Sequence, residues 1–412
     1  MKNLAVCCIL LLLAAFVPGG GAPSPVDAAW ALGLLMLLAF LAQGLAADLR
    51  LPAICGWLAA GLALGAGGLD AVRPDVVPGL HVVHLFAGIW LAFEVGLGLT
   101  WPAARRSWKL PATVALSTVV TALAAAAATV YLARLPWELG LFVGALTCLW
   151  GPLVTSSLTR SDEVTLIGVM GAVFALATLT GALLLLREQH YLPAAATRAA
   201  AGIWIAAAAG AIAAEVLWRA HLLTRRTPAV VSLVATFSLA AALCVEHGVL
   251  ALPFGLAAGL VLAAHEERGR LLRHLLSPSR QLAAMLFFAL VGASLDPNPI
   301  FRAPVTGLYQ IILAQALILV LVRGLAAAVW YPQRESSGFS RHSSWLLLPK
   351  GALAYELILR QGTSLAQLVP EAHRRLIMQL VTAEILAYGF AFAALAAAMV
   401  SLFDHAEPAT AV

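Results

Sequence analysis

Charge is what this sequence lacks most. Only 11% of its 412 residues are Asp, Glu, Lys or Arg, against about a quarter in a soluble domain. Long polar connections are missing too, so no stretch is left for a separate soluble domain. The five cysteines, Cys7, Cys8, Cys55, Cys148 and Cys244, show no CxxC spacing and all lie in apolar runs. They read as buried free thiols, not as disulfides or metal ligands. No nucleophile–base spacing, phosphate loop or metal cluster occurs, so neither an enzyme nor a cofactor is read here. Nothing resembles a selectivity filter, which argues against a channel. The net charge of +5 is modest and its basic residues sit in loops. They read as topology determinants, and nucleic acid is excluded as a partner.

What the chain does have is apolar length. Hydrophobic residues make up 62% of it, in recurring runs of about 20, enough to cross a ~30 Å hydrocarbon core. The fold class is an all-α polytopic membrane protein, with the lipid bilayer as its partner. Lys2, the apolar stretch from Leu4 to Val17 and Pro18-Gly19-Gly20-Gly21 fit a signal peptide over residues 1–28, with an uncleaved short helix as the alternative. Thirteen spans follow, near 29–47, 51–68, 79–100, 110–133, 138–159, 164–186, 197–218, 229–247, 249–265, 281–296, 304–331, 343–361 and 376–403. Loops after odd-numbered spans hold fourteen basic residues and loops after even-numbered spans hold seven. Positive charge stays inside, which predicts an outside N-terminus, a cytoplasmic C-terminus and a short cytoplasmic tail over 404–412 in the cell membrane.

A sequence echo organises the spans. Ala59-Ala60-Gly61-Leu62-Ala63-Leu64 returns as Ala257-Ala258-Gly259-Leu260-Val261-Leu262. Val95-Gly96-Leu97-Gly98-Leu99 returns as Val291-Gly292-Ala293-Ser294-Leu295, and Gly151-Pro152 has its counterpart in Pro349-Lys350-Gly351. Spans one to six thus match eight to thirteen. The division is repeat one over 29–186, a linker helix over 197–218 and repeat two over 229–403, together one membrane domain over 29–403. Because the linker carries the chain across once more, the two six-helix repeats are inverted, a layout that places a solute site near the midplane.

The third echo falls on proline and glycine inside spans five and twelve. Proline removes a donor and clashes one turn back. Freed backbone groups inside a membrane must face protein or water. Crossed broken helices at the midplane therefore present four half-helix ends; amide ends favour anions and carbonyl ends favour cations. Simple packing kinks are the plainer alternative. The ion pathway read from these segments comprises Thr147, Gly151, Pro152, Thr155, Pro349, Lys350 and Gly351.

Leu51-Pro52-Ala53-Ile54-Cys55-Gly56-Trp57, Leu252-Pro253-Phe254-Gly255, Leu286-Phe287-Phe288-Ala289-Leu290-Val291-Gly292 and Leu348-Pro349-Lys350-Gly351 resemble, in order, motifs of the monovalent cation:proton antiporter superfamily, in its sodium/hydrogen and potassium/proton exchanger branch. The resemblance covers about 29–403. It implies thirteen helices, crossed broken helices, a core moving against a scaffold, monovalent cations and protons as substrates, and a homodimer. The chain departs from that family where it matters. The family usually places one or two acids in the sixth span, yet no carboxylate lies between Glu163 and Glu188 and Thr178 stands near the expected position. Gly98 and Ala352 replace two further acids, whereas the basic residue of the eleventh span survives as Arg323, and the resemblance adds Thr178 and Arg323 to the ion pathway.

Acids well within a span are functional candidates. Glu94, Glu356 and Glu384 are therefore the proton-carrier candidates, with fixed ion pairs to Arg323 or Lys350 as the plainer alternative. The function implied is secondary-active cation:proton antiport with altered coupling. Two alternatives stay open: transport of a small anion, since Arg323 and Lys350 leave two cations near the site, and a non-transporting scaffold or sensor that keeps the fold.

Overall fold

The computed structural model describes residues 25–72, 77–98, 109–148, 162–188, 193–223, 226–302, 304–305, 307–330 and 371–392. Among them every regular element is helical: α1 (Pro25–Asp48), α2 (Ala53–Leu64), α3 (Val77–Leu97), α4 (Lys109–Ala133), α5 (Trp137–Thr147), α6 (Asp162–Glu188), α7 (Pro193–Arg219), α8 (Arg226–His247), α9 (Leu252–Ala263), α10 (Glu266–Ser294), α11 (Leu308–Trp330) and α12 (Glu371–Leu386). A short helical turn, Asn298–Arg302, precedes α11, and α12 continues as π-helix over Ala387–Phe392. These helices match spans one to eleven and thirteen. The twelfth span lies outside the described residues, as do Gly151, Pro152, Thr155, Pro349, Lys350, Gly351 and Glu356 and the signal-peptide segment up to Ser24.

Local sequence explains where helices begin and end. Pro52 and Pro136 are the N-caps of α2 and α5, and Pro253 stands in the first turn of α9. At helix starts the missing N–H goes unused and the fixed φ suits the helix. Arg50, Arg134 and His221, just past α1, α4 and α7, take left-handed backbone with φ of 57°, 52° and 56°, the usual way to turn a chain out of a helix.

The fifth span is described only in part: α5 covers 11 residues, Trp137–Thr147, about 16 Å and half a hydrocarbon core, and 149–159 lie outside the described residues. The tenth was read as starting at 281, but α10 already begins at Glu266. Hydropathy registers burial in lipid, whereas helix formation needs only backbone pairing, which the Arg- and Leu-rich start supports.

The helices sort into two groups by packing. In the first, α2 lies on α1 and α10, α3 on α8, α9 and α10, and α7 on α9. In the second, α4 contacts α5, α6 and α11, and α12 packs on α11. The groups meet where α6 passes into α7, where α3 touches α6, and where the π-helical end of α12 reaches α2. There Cys55 donates its thiol hydrogen to the Gly389 carbonyl at 3.5 Å. Outward faces are apolar: Leu313, Leu317, Leu321 and Leu325 form a fourfold-spaced stripe on α11, and Trp204, Ile205 and Ile212 another on α7. A lipid-covered surface has this composition, since tails are as apolar as leucine.

The echoed glycines sit at two backbone crossings. A Cβ on Gly61 of α2 would strike the Ala289 carbonyl of α10, and one on Gly292 of α10 would strike the Leu58 carbonyl of α2. A Cβ on Gly96 of α3 would strike the Leu256 carbonyl of α9, and one on Gly259 of α9 the Phe93 carbonyl of α3. Gly61 echoes Gly259 and Gly96 echoes Gly292. The contact of α2 with α10 therefore recurs, with roles exchanged, as the contact of α9 with α3. A twofold relation between matching helices has this signature.

Candidate ion-binding site

The short α5 ends on a polar side chain. Thr147, its last residue, is buried and donates its hydroxyl to the Val143 carbonyl at 3.0 Å. The same oxygen lies 3.3 Å from Oε1 of Glu384, which reaches it from α12 and is only 1% exposed. Cys148, the C-cap of α5, directs its thiol to the Thr118 carbonyl of α4 at 3.3 Å. Three helices of the second group thus converge on the end of α5.

The described groups at this point bring negative or partly negative charge. The last carbonyls of a helix have no intrahelical partner and carry about half a negative charge. Glu384 adds a carboxylate to that end. A carboxylate out of water needs a proton, a cation or strong hydrogen bonds. The hydroxyls of Thr118 and Thr121 on α4 are turned the same way, each donating to a carbonyl one turn back on its own helix, at 2.7 and 2.6 Å. What they present to neighbours is oxygen lone pairs. The described groups favour cations and protons over anions.

The three proton-carrier candidates separate. Glu384 is brought to the end of α5, Glu356 lies outside the described residues, and Glu94 belongs elsewhere. Glu94 accepts a bond from Trp90 Nε1 at 2.9 Å and faces Ser279 Oγ at 3.5 Å and Arg280 Nε at 3.7 Å, all within the first helix group. Thr178 lies on α6, which packs on α4 and α5, and donates to the Phe174 carbonyl at 2.8 Å. Arg323 is a residue of α11, eight positions on from Gln315, whose amide donates to Thr129 at 3.0 Å.

Some supporting residues carry no sequence signal of their role. Cys148 and Thr118 looked like ordinary span residues. Gln379, one turn and a residue before Glu384, accepts from the Val305 N–H at 2.8 Å and donates to the Pro299 carbonyl at 3.0 Å. It clamps α12 to the segment before α11. A buried glutamine in an apolar run is the only hint that a reader could have used.

A family model described as sodium/hydrogen exchanger, transmembrane, matches residues 34–403. The chain belongs to that family. It is accordingly a multi-pass membrane protein. The fold is similar to that of MjNhaP1 from Methanocaldococcus jannaschii, described as a sodium proton antiporter. One structure of it, at pH 8, has a TM-score of 0.65 at 17% identity, over 92% of this chain and 96% of that one. A second, from electron microscopy, has a TM-score of 0.61 at 16% identity, over 93% and 99%. No curated protein matches the chain. The described acid at the end of α5 is Glu384 of α12, and α6 carries no carboxylate between Glu163 and Glu188.

Proposed function

We propose that this protein is a secondary-active cation:proton antiporter in which Glu384 takes the part usually played by sixth-span acids. The observation that carries this reading is the 3.3 Å approach of Glu384 to Thr147 at the carbonyl end of α5. One carboxyl group alternates between two states. As a monovalent cation arrives, the carboxylic acid gives up its proton to the solvent-facing side; as a proton returns, the carboxylate releases the cation. The Thr147 oxygen and the helix-end carbonyls supply neutral ligands, and the carboxylate supplies the charge. The two cannot be occupied together, and that exclusion is the coupling.

Two inverted halves, 29–186 and 229–403, are joined by the linker helix over 197–218, with the N-terminus outside and the C-terminus in the cytoplasm. Sodium or potassium is the cation class, and two copies pair through the scaffold helices. Against transport of a small anion stand the acid and the lone-pair-bearing hydroxyls around Thr147.

Proteoliposomes with an imposed pH gradient test the reading. Addition of sodium or potassium should dissipate the gradient with wild-type protein and not with Glu384→Gln, while Glu94→Gln keeps the exchange. Undiminished exchange by Glu384→Gln would remove Glu384 from the mechanism. An inert wild type would favour the scaffold or sensor alternative.

A further inference from the structure

The contact between α4 and α11 holds a polar pair in apolar surroundings. Gln315 lies two turns into α11, which begins at Leu308, about 10 Å from that end. Gln315 and Thr129 of α4 are both completely buried, at 0% exposure. On α11 the residues one turn to either side of Gln315 are Ile311 and Leu319, also buried, while Leu313, Leu317 and Leu321 cover the outward face. A leucine at 315 would complete the buried apolar stripe, so an amide there needs a physical reason.

Half of that reason is plain. Gln315 Nε2 donates to Thr129 Oγ1 at 3.0 Å, and a side-chain bond between two spans holds them together. The other half of the amide is not served. Gln315 Oε1 is buried and has no hydrogen-bond partner among the described residues. Thr129 does not supply one, because its hydroxyl hydrogen goes to the Ala125 carbonyl at 2.7 Å. Turning the amide over, with the hydroxyl swung round to meet it, leaves the Nε2 hydrogens short instead. The deficit therefore belongs to the position and not to one orientation of the side chain. Hydrocarbon offers no remedy, since lipid tails neither donate nor accept.

We infer that Gln315 and Thr129 bind a water molecule between α4 and α11. The pair has capacity left for it: the Oε1 lone pairs, the second Nε2 hydrogen and a remaining lone pair on the Thr129 oxygen. A water donates to the oxygens and accepts from the amide, and buried waters typically make about three such bonds. A bare cation is a poorer occupant, because both side chains are neutral and a buried charge without a counter-charge is costly. The water gives the helix group that holds Glu384 a wet point in its interior. It is separate from the α5 end, since Thr129 stands about 16 Å along α4 from Thr118.

Hydroxyl-radical footprinting of the full-length protein in detergent tests this. A brief X-ray pulse splits water where it sits, and side chains beside a bound water are oxidised although bulk solvent does not reach them. Residue-level mass spectrometry should find oxidation at Ile311 or Leu319 in wild type, both closed to solvent, and loss of that oxidation in Gln315→Leu. Absence of oxidation at both positions in wild type overturns the inference. Equal oxidation in the folded variant overturns it too, because the water would then not be held by Gln315. If the variant fails to fold, a density map of wild type that resolves ordered water decides. A peak about 2.7–3.2 Å from the Gln315 amide upholds the site, and a map without one overturns it. Because none of these readouts involves transport, the result is independent of Glu384.

Discussion

Thr147 and Glu384 stand 237 positions apart in the chain and 3.3 Å apart in space. One closes the short α5 and the other projects from α12 just before that helix loosens into a π-helical turn. π-Turns concentrate where a helix is shaped for function. The pairing sets a carboxylate against a carbonyl helix end, and the first prediction concerns the hydroxyl between them.

Thr147→Val removes the side-chain oxygen and keeps the shape. A hydrogen bond to a charged group contributes about 1.5–3 kcal/mol, so the cation concentration for half-maximal exchange should rise about tenfold or more. Thr147→Ser restores the oxygen and should stay near wild type. Sodium or potassium titrations in proteoliposomes measure both; equal behaviour of Val and Ser would count against a liganding hydroxyl.

The four crossing glycines should respond as two equivalent pairs. Gly61→Ala, Gly292→Ala, Gly96→Ala and Gly259→Ala each push a Cβ into a backbone carbonyl, and such overpacking destabilises by about 1–3 kcal/mol. Gly33→Ala on α1 meets nothing within 4 Å and should be neutral. Thermal unfolding in detergent compares them. Stability of the Gly61 and Gly96 variants equal to that of Gly33→Ala would contradict the close crossings.

Glu94→Gln keeps the hydrogen bonds from Trp90 and Ser279 but loses the charge facing Arg280. Exchange should persist at close to the wild-type rate, while the thermal midpoint falls by a few degrees. The partner arginine is 38% exposed, and pairs open to solvent are weak. Loss of exchange without loss of stability would return Glu94 to the transport pathway.

Gln379→Leu strands a backbone N–H and a carbonyl that Gln379 now satisfies. Both bonds are part-buried, and each such hydrogen bond contributes about 0.5–1.5 kcal/mol. The segment 297–305 should become the first site of cleavage in limited proteolysis of the purified protein, and a wild-type digestion pattern would refute the clamp.

Much of this molecule was legible without coordinates. Apolar runs placed the helices because lipid admits no other backbone arrangement for such stretches. The echo at a constant offset picked out Gly61, Gly96, Gly259 and Gly292, since two helix backbones can touch only where Cβ is missing. Glu94, Glu356 and Glu384 stood out because a carboxylate inside a span needs a reason. Hydropathy could not foresee that α10 starts at Glu266.

Which acid meets the α5 end was decided by tertiary structure alone. Glu94 and Glu384 look alike in one dimension: each is the single carboxylate of its apolar run, 79–100 and 376–403. Packing of α3 against α10 turns the first toward Arg280, and the approach of α12 to the end of α5 brings the second to Thr147. Periodicity says which side of a helix a residue occupies, but only contact between distant segments says what that side faces.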